Sequence, residues 1–121
     1  MSKTVLTVDD SRVMRDLLKM SLADAGYNVI QAVDGVDGLE VLQNSAPDVI
    51  ITDVNMPRLD GFGFIDAVRK EEQWRSVPIL VLTTESSDEK KGLAREAGAT
   101  GWIVKPFDHD RLITAVERVT A

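Results

Sequence analysis

The sequence predicts an α/β fold, a single doubly wound sheet of five parallel strands with helices on both faces. Three observations predict this class. Short apolar runs rich in β-branched residues occur five times along the chain. A segment with apolar residues at helical spacing follows each run, and no long linker interrupts the alternation. Because neighbouring parallel strands need a crossover connection, this order favours a parallel sheet covered by helices on both sides.

The five apolar runs have the length and composition of buried strands. They cover residues 3–8, 28–32, 48–52, 78–83 and 101–105. Four helices are indicated by apolar residues three or four positions apart, which in chain order are Met14, Leu17, Leu18, Leu22 and Ala25; Val36, Leu39 and Leu42; Phe64, Ile65 and Val68; and Leu112, Val116 and Val119. Gly26 is the expected stop of the first helix.

The fourth helix has the weakest sequence signal. Residues 86–89, "SSDE", form a possible capping box with Ser86 at the N-cap, and the helix is expected to run to Ala97. Its interior contains Gly92, which costs roughly 1 kcal/mol relative to alanine.

Composition excludes several classes of protein. The chain has 121 residues, 44% hydrophobic and 28% charged, and a net charge of −6, so nucleic acid and anionic membranes are poor partners. Without cysteine it has no disulfide, thiol catalysis or thiolate metal site. No apolar run reaches the roughly 20 residues of a membrane span, and no signal peptide is recognisable, so a cytoplasmic protein is expected.

Polar residues stand where the predicted strands end, at the edge of an open α/β sheet where ligands bind. They are Asp9 and Asp10 after the first strand, Asp53 after the third, Thr83 and Thr84 after the fourth, and Lys105 after the fifth. Each has a common structural explanation when taken alone, such as a helix cap or a turn. Their joint placement at one edge of one sheet favours a functional site.

Three clustered carboxylates repel one another, at about 4 kcal/mol for one pair 4 Å apart at an effective dielectric constant near 20. Hard oxygen ligands suit Mg²⁺, which takes one or two carboxylates and keeps several waters. A metal, Lys105 and a threonine hydroxyl around one carboxylate would stabilise a transferred phosphoryl group, with Asp53 as the nucleophile.

Other residues keep structural interpretations. His109, the single histidine, follows the expected N-cap Asp108 and is interpreted as an exposed loop residue. The glycines of "GFGF" (61–64) lack the third glycine of a dinucleotide-binding fingerprint, and "DVNMPRLDG" (53–61) lacks the pattern of a calcium loop.

The motifs "TVDDSR", "ITDVNMPRLDG", "LTTE" and "GWIVKPF" resemble the receiver domains of two-component response regulators, in order and spacing, over essentially the whole chain. Within that family the sequence is most similar to the stand-alone chemotaxis regulators of the CheY type. The resemblance implies a flavodoxin-like fold with strand order 2-1-3-4-5, and one receiver domain over residues 1–121 without an output domain.

The resemblance also implies a role for each matching residue. Asp53 matches the phosphoacceptor, which becomes 4-aspartylphosphate. Asp10 and Asp53 match Mg²⁺ ligands, Asp9 acts mainly through water, and the backbone carbonyl of Asn55 matches a further ligand. Thr83 and Trp102 match the switch residues, and Lys105 matches the lysine that pairs with the phosphoryl oxygens. The Lys105–Pro106 bond matches one that is typically cis, and Asn55 and Glu85 occupy variable positions.

Two residues depart from the family pattern. Thr84 stands where a small residue is common, and Trp102 stands where tyrosine or phenylalanine is usual. Both bear on the switching geometry.

The expected function is that of a monomeric switch. A histidine kinase, or a small phosphodonor, phosphorylates Asp53 with Mg²⁺ present, and the domain catalyses only its own phosphorylation and dephosphorylation. The phosphorylated form binds a downstream protein such as a flagellar motor switch component. Two alternatives stay open: a phosphate sink or adaptor for a shared kinase, and a phosphatase of the haloacid dehalogenase type. The latter is disfavoured because Asn55 replaces its second aspartate.

Overall fold

The computed structural model describes residues 2–84 and 87–121, and it confirms the predicted alternation of strands and helices. The strands are β1 (Thr4–Val8), β2 (Asn28–Ala32), β3 (Val49–Thr52), β4 (Ile79–Thr83) and β5 (Gly101–Val104). The helices are α1 (Arg12–Asp24), α2 (Gly35–Gln43), α3 (Gly61–Lys70), α4 (Asp88–Ala97) and α5 (His109–Thr120), with a 3₁₀ turn at Glu72–Trp74.

The five strands form one parallel sheet in the order β2-β1-β3-β4-β5. The fold class is therefore confirmed, as is the strand order implied by the family resemblance. Each strand begins and ends within one residue of its predicted bounds.

Side chains that alternate along the strands build two cores, one on each face of the sheet. On one face, Leu6, Ile50 and Val81 pack with residues of α2, α3 and α4 such as Leu42 and Phe64. On the other face lie Val5, Val49, Ile51, Leu80 and Leu82, together with Leu18 and Leu22 of α1 and Leu112 and Val116 of α5. The helices are thus divided three to two between the faces, and both faces of the central strands are buried.

Polar side chains cap the N-termini of all five α-helices, each by accepting a hydrogen bond from a backbone N–H in the first turn. The caps are Ser11, Asp34, Asp60, Ser87 and Asp108. Each such cap contributes about 1 kcal/mol of stability. The predicted cap at Asp108 is confirmed, whereas α4 is capped by Ser87; Ser86 and Glu85 lie outside the described residues.

Leu17 and Ala25 belong to the apolar stripe that indicated α1, but both are exposed, because only the inner part of this stripe reaches the sheet. His109 was predicted to be an exposed loop residue. It is exposed, but its assignment to a loop was wrong, because it begins α5. Its Nδ1 contacts the Ser21 hydroxyl, so it joins α5 to α1. Within the described residues, no helix is both long enough and apolar enough to cross a membrane.

Candidate functional site

The carboxyl ends of β1 and β3 bring three acidic residues together. Val8 and Thr52 are register partners at the ends of these neighbouring strands, so Asp9 and Asp53 follow at the same level. Carboxylate oxygens of Asp9, Asp10 and Asp53 all lie within 4.8 Å of one another. The structure therefore brings together the three acids that the sequence placed at this edge.

Lys105 joins two of these acids. Its Nζ donates to Asp9 Oδ2 at 2.9 Å and to Asp53 Oδ2 at 3.1 Å. The lysine side chain is only 11% exposed, as expected for an ammonium held between two carboxylates. Its backbone N–H donates to the Thr83 carbonyl at 2.8 Å, and the peptide bond to Pro106 is cis, as the family resemblance implied.

Asp9 is the most deeply placed acid of the three, with a side chain 2% exposed. Both of its carboxylate oxygens are engaged, because Oδ1 accepts from the Ser11 N–H at 2.9 Å while Oδ2 accepts from Lys105. The Arg15 guanidinium holds the Asp9 backbone carbonyl at 2.7 Å. Asp10, by contrast, is exposed. Asp9 is therefore the least accessible of the three acids to a ligand.

The Asp53 carboxylate lies near one positive group, Lys105, and one negative group, Asp9. The Asp53 N–H donates to the Val8 carbonyl at 2.9 Å, and its Oδ1 accepts from the Val54 N–H at 2.7 Å. Burial raises the pKa of Asp53 above its ordinary value, and the negative charge of Asp9 raises it further. The positive charge of Lys105 lowers this pKa but does not cancel the effect of burial. Burial works to lower the pKa of Lys105, but its contacts with Asp9 and Asp53 outweigh that effect and raise it.

The donor set fits a small, hard divalent cation. Among the described residues, this cluster brings three carboxylates together with the ammonium group of Lys105, so its negative charge exceeds the positive charge of the lysine. Carboxylate oxygens are the ligands that Mg²⁺ takes in proteins, together with retained water. Because the Asp9 side chain is only 2% exposed, whereas that of Asp53 is 12% exposed and Asp10 is open to solvent, Asp10 and Asp53 are the acids best placed to ligate the cation directly.

The remaining predicted site residues occupy the same edge. Thr83 is the fully buried last residue of β4, and Thr84 follows it exposed to solvent. Asn55 lies in the exposed loop between Asp53 and α3.

Trp102 lies in β5 opposite Val81 and packs against the core on the α4 side. Together with Lys91, Ala94 and Arg95 of α4 it lines a cavity of about 120 Å³. Its indole Nε1 is buried and has no hydrogen-bond partner among the residues that the structure describes. Trp102 is therefore placed to respond to a movement of α4.

Sequence reasoning missed three residues, two that hold Asp9 and one in the loop that follows Asp53. Ser11 and Arg15 hold Asp9, and the serine after two aspartates was a visible cap signal. The third is Arg58, whose guanidinium binds Asp34 across two loops. No sequence pattern predicted that pair.

The model of the response regulator receiver domain family matches residues 5–117 of this chain. The chain belongs to that family. Among solved structures, the receiver domain is similar to the chemotaxis protein CheY4 of Vibrio cholerae, with 48% identity, a TM-score of 0.94, and coverage of 98% of this chain and 99% of that one. The predicted family and its likeness to chemotaxis regulators are therefore confirmed.

Other relatives carry receiver domains in different settings. A receiver domain of a Pseudomonas aeruginosa sensor histidine kinase is 27% identical, with a TM-score of 0.92 and coverage of 99% and 98%, and it holds a magnesium ion coordinated in its active site cleft. The sensor histidine kinase CheAY of Helicobacter pylori is 34% identical over 94% of this chain and 14% of its own length. The receiver domain spans less than half the length of the curated relatives it matches.

Proposed function

We propose that this receiver domain accepts a phosphoryl group on Asp53 from a histidine kinase, in a reaction that requires Mg²⁺, and that the phosphorylated form changes its binding to another protein. The observation that carries this proposal is the bridge from Lys105 to Asp9 and Asp53 within a cluster of three carboxylates. The coordinated magnesium of the Pseudomonas aeruginosa receiver domain supports the choice of cation.

Each site residue has its own role in phosphoryl transfer. An Asp53 carboxylate oxygen attacks phosphorus in line while the bond to the histidine nitrogen of the donor breaks, and the imidazole leaves with the electron pair. Lys105 is already within hydrogen-bond distance of Asp53 and offers its ammonium to the phosphoryl oxygens. Asp10, Asp53 and the Asn55 carbonyl would hold Mg²⁺, with Asp9 acting through water, and the bound ion would supply further positive charge to the transferred phosphoryl group.

The switch would run from the site to the surface formed by α4, β5 and α5. Phosphorylation draws the Thr83 hydroxyl toward Asp53, which frees space beneath α4 and lets the Trp102 indole turn. The surface on this side includes the exposed Val104 and a groove of about 500 Å³ lined by Arg111 and Arg118 of α5. A downstream protein would bind there in a phosphorylation-dependent manner.

The likeness to CheY4, across 98% of this chain and 99% of that one, supports a role in chemotaxis. A flagellar motor switch component is the corresponding downstream partner. A phosphate sink for a shared kinase would use the same site but would need no such partner.

A phosphodonor assay tests the proposed chemistry. The wild-type chain is incubated with acetyl phosphate, or separately with an aryl phosphate, in Mg²⁺ or in EDTA, and both protein-bound phosphate and released phosphate are followed. We expect at most one phosphoryl group per chain, formed only with Mg²⁺ and lost slowly. Rapid, sustained turnover without accumulation of phosphoprotein would indicate a phosphatase and would contradict the proposal.

A binding assay tests the proposed switch. The chain is immobilised with and without beryllofluoride and Mg²⁺, and retained proteins are compared with those retained by Asp53→Asn. A motor-binding regulator should gain a partner only in the beryllofluoride state of the wild type. Identical binding with and without beryllofluoride would contradict the proposed switch. The phosphate sink would then be the remaining function for this site.

A further inference from the structure

Arg58 adopts a backbone conformation that its side chain disfavours. Its φ is 68°, the only positive φ at a non-glycine position within residues 2–84 and 87–121. The Leu59 N–H donates to the Pro57 carbonyl at 2.8 Å, which closes a three-residue turn with Arg58 at its centre. Turns of this kind with positive φ are rare and strained. A conformation of this sort persists only when surrounding contacts hold it.

The contact that holds it is a two-pronged bond to Asp34. Arg58 Nε donates to Asp34 Oδ2 at 2.7 Å, and Nη2 donates to Oδ1 at 3.0 Å. The Asp34 side chain is only 6% exposed, and its Oδ1 also accepts from the Asp37 N–H at 2.9 Å as the N-cap of α2. Arg58 is therefore bound to a carboxylate that is itself fixed to a helix end, in the planar geometry that arginine favours.

A second contact ties the same loop to α2. The Gly35 N–H donates to the Leu59 carbonyl at 3.2 Å. A Cβ atom on Gly35 would lie 2.6 Å from that carbonyl oxygen, so only glycine permits this approach. The tip of the β3–α3 loop is thus attached to the start of α2 by both a side chain and the backbone.

The base of the loop is closed against the phosphoacceptor strand. The Gly61 N–H donates to the Val54 carbonyl at 2.8 Å, and a Cβ on Gly61 would lie 2.2 Å from the Asp53 carbonyl oxygen. The segment 54–60 is therefore held at its base by Gly61 and at its tip by Arg58. Asn55, whose carbonyl is a proposed cation ligand, lies between the two attachments.

We propose that Arg58 and Asp34 are a positioning pair for the Asp53 site: they hold the segment 54–60 in the conformation that binds the divalent cation and accepts the phosphoryl group. This inference rests on the proposed function, and it adds to it two residues outside the acidic cluster. Neither residue needs to touch the cation, because the pair acts by fixing the backbone of the segment 54–60, which includes the Asn55 carbonyl. Releasing the pair leaves all the carboxylates and Lys105 in place but lets the loop leave its binding conformation.

The test compares Arg58→Gly with the wild type. Glycine accepts the positive φ without strain, so the variant loses the ion pair without a backbone penalty. We expect Mg²⁺ titration by calorimetry to give a Kd about tenfold higher, near the low end of what loss of an outer-shell partner costs. Uptake of phosphate from acetyl phosphate at subsaturating Mg²⁺ should slow in parallel. In EDTA, hydrogen exchange of the amides in 54–60 should be faster than in the wild type.

Three variants sharpen the comparison. Asp34→Asn keeps an oxygen for the helix cap but loses the charged fork, and we expect it to raise the Mg²⁺ Kd as Arg58→Gly does. The double variant should be no worse than either single variant, since both remove the same contact. Lys70→Ala removes the Lys70–Asp66 pair, which is 3.0 Å long and exposed on α3, and it should leave both the Kd and the exchange of 54–60 unchanged.

The possible results separate the two proposals. If the wild type binds no Mg²⁺ at millimolar concentrations, the proposed function fails, and the positioning role fails with it. If the wild type binds and Arg58→Gly binds equally well, only the positioning role is overturned. Unchanged exchange of 54–60 in EDTA would also overturn it, whatever the cation affinity. A lower melting temperature with an unchanged Kd would show a purely structural ion pair.

Discussion

Lys105 balances the charge of the acidic site in the absence of a cation. It is the partner of the buried Asp9 and of the half-buried Asp53, and its own side chain is 11% exposed. Removing one member of a buried ion pair leaves an uncompensated charge, which costs more than the pair itself contributes. Lys105 should therefore affect both folding of the metal-free domain and the phosphorylated state.

We expect Lys105→Ala to lower the free energy of unfolding in EDTA by about 3 kcal/mol, the scale for an orphaned buried charge. Because Mg²⁺ can supply part of the missing positive charge, it should stabilise Lys105→Ala more than it stabilises the wild type. Urea denaturation in EDTA and in Mg²⁺ measures both quantities, with Lys70→Ala as the control for an exposed pair. A loss in Lys105→Ala no larger than in that control would contradict the burial argument.

Asp53 carries a pH-dependent cost to stability, because burial raises the pKa of its carboxyl group in the folded state. A carboxyl whose pKa is higher in the folded state than in the unfolded state destabilises the fold at every pH above that folded pKa. Asp53→Asn removes the charge, while Lys105 keeps Asp9 as a partner.

We therefore expect Asp53→Asn to melt a few degrees higher than the wild type at pH 7 in EDTA, at about 4 °C per kcal/mol for a domain of this size. The difference should shrink as the pH falls through the folded-state pKa of Asp53 and disappear toward its ordinary value of 3.8. Melting curves across this pH range test the sign, and an equal or lower melting temperature for Asp53→Asn at pH 7 would contradict it.

At the residue scale, the sequence was sufficient to predict where a side chain lies when the residue stands at the end of a strand. Asp9, Asp10, Asp53 and Lys105 stand at the ends of apolar runs, so their placement at one edge of the sheet was predictable from the rule that ligands bind at the carboxyl ends of parallel strands. The pairing of Arg58 with Asp34 was not predictable, because it depends on a positive φ in a loop and on contact between residues 24 positions apart.

Among the elements, α4 has the least support from its own sequence. Its single buried side chain is Ala94, and Gly92 interrupts its interior. The Lys90 ammonium lies 5.9 Å from the centre of the Phe62 ring of α3, a favourable but small contribution. A helix held so lightly is suited to move when the site changes.

Gly92→Ala should stabilise the domain by up to about 1 kcal/mol, because alanine is the better helix former. A Cβ atom at position 92 meets nothing within 4 Å, so no packing cost offsets this gain. Gly98→Ala is the matched control: φ there is 111°, and a Cβ would lie 2.7 Å from Arg69 Cγ, so it should destabilise. Chemical denaturation of both variants tests the pair, and destabilisation by Gly92→Ala would mean that α4 is not a regular helix at this point.

The sequence located elements better than it located their ends and exposed faces. The central strands β1, β3 and β4 are buried on both sides and so give continuous apolar runs, and all five strands were found where the apolar runs predicted them. The start of α4 was less certain because two serines precede its acidic first turn, and Ser87 rather than Ser86 caps it. The exposure of Leu17 on α1 could not be read from periodicity, which gives the direction of a face but not the extent of its cover.

For the whole molecule, strand order depended on the family resemblance, since apolar runs alone do not say which strands are neighbours. That order makes β1 and β3 adjacent and so creates the acidic cluster. The cluster couples the stability of the fold to the cation, because like charges repel when no cation is bound.

Mg²⁺ should therefore raise the melting temperature of the wild-type domain and raise that of Asp10→Asn less. At ten times its Kd a bound ligand contributes about 1.4 kcal/mol, which is within reach of a thermal shift. Melting curves at increasing Mg²⁺, with EDTA as the reference, give the comparison. Equal shifts in the two proteins would mean that Asp10 does not bind the cation. No shift in either protein would mean that the acidic cluster does not bind Mg²⁺.

The central claim is that Asp53 alone carries the phosphoryl group, and locating that group is its most direct test. The wild type is phosphorylated with acetyl phosphate and Mg²⁺ and then reduced with borohydride, which converts an aspartyl phosphate to homoserine. Peptide mass spectrometry then identifies the converted residue. We expect conversion at position 53 only, none in EDTA, and none anywhere in Asp53→Asn. Conversion at another aspartate, or equal conversion in EDTA, would contradict it.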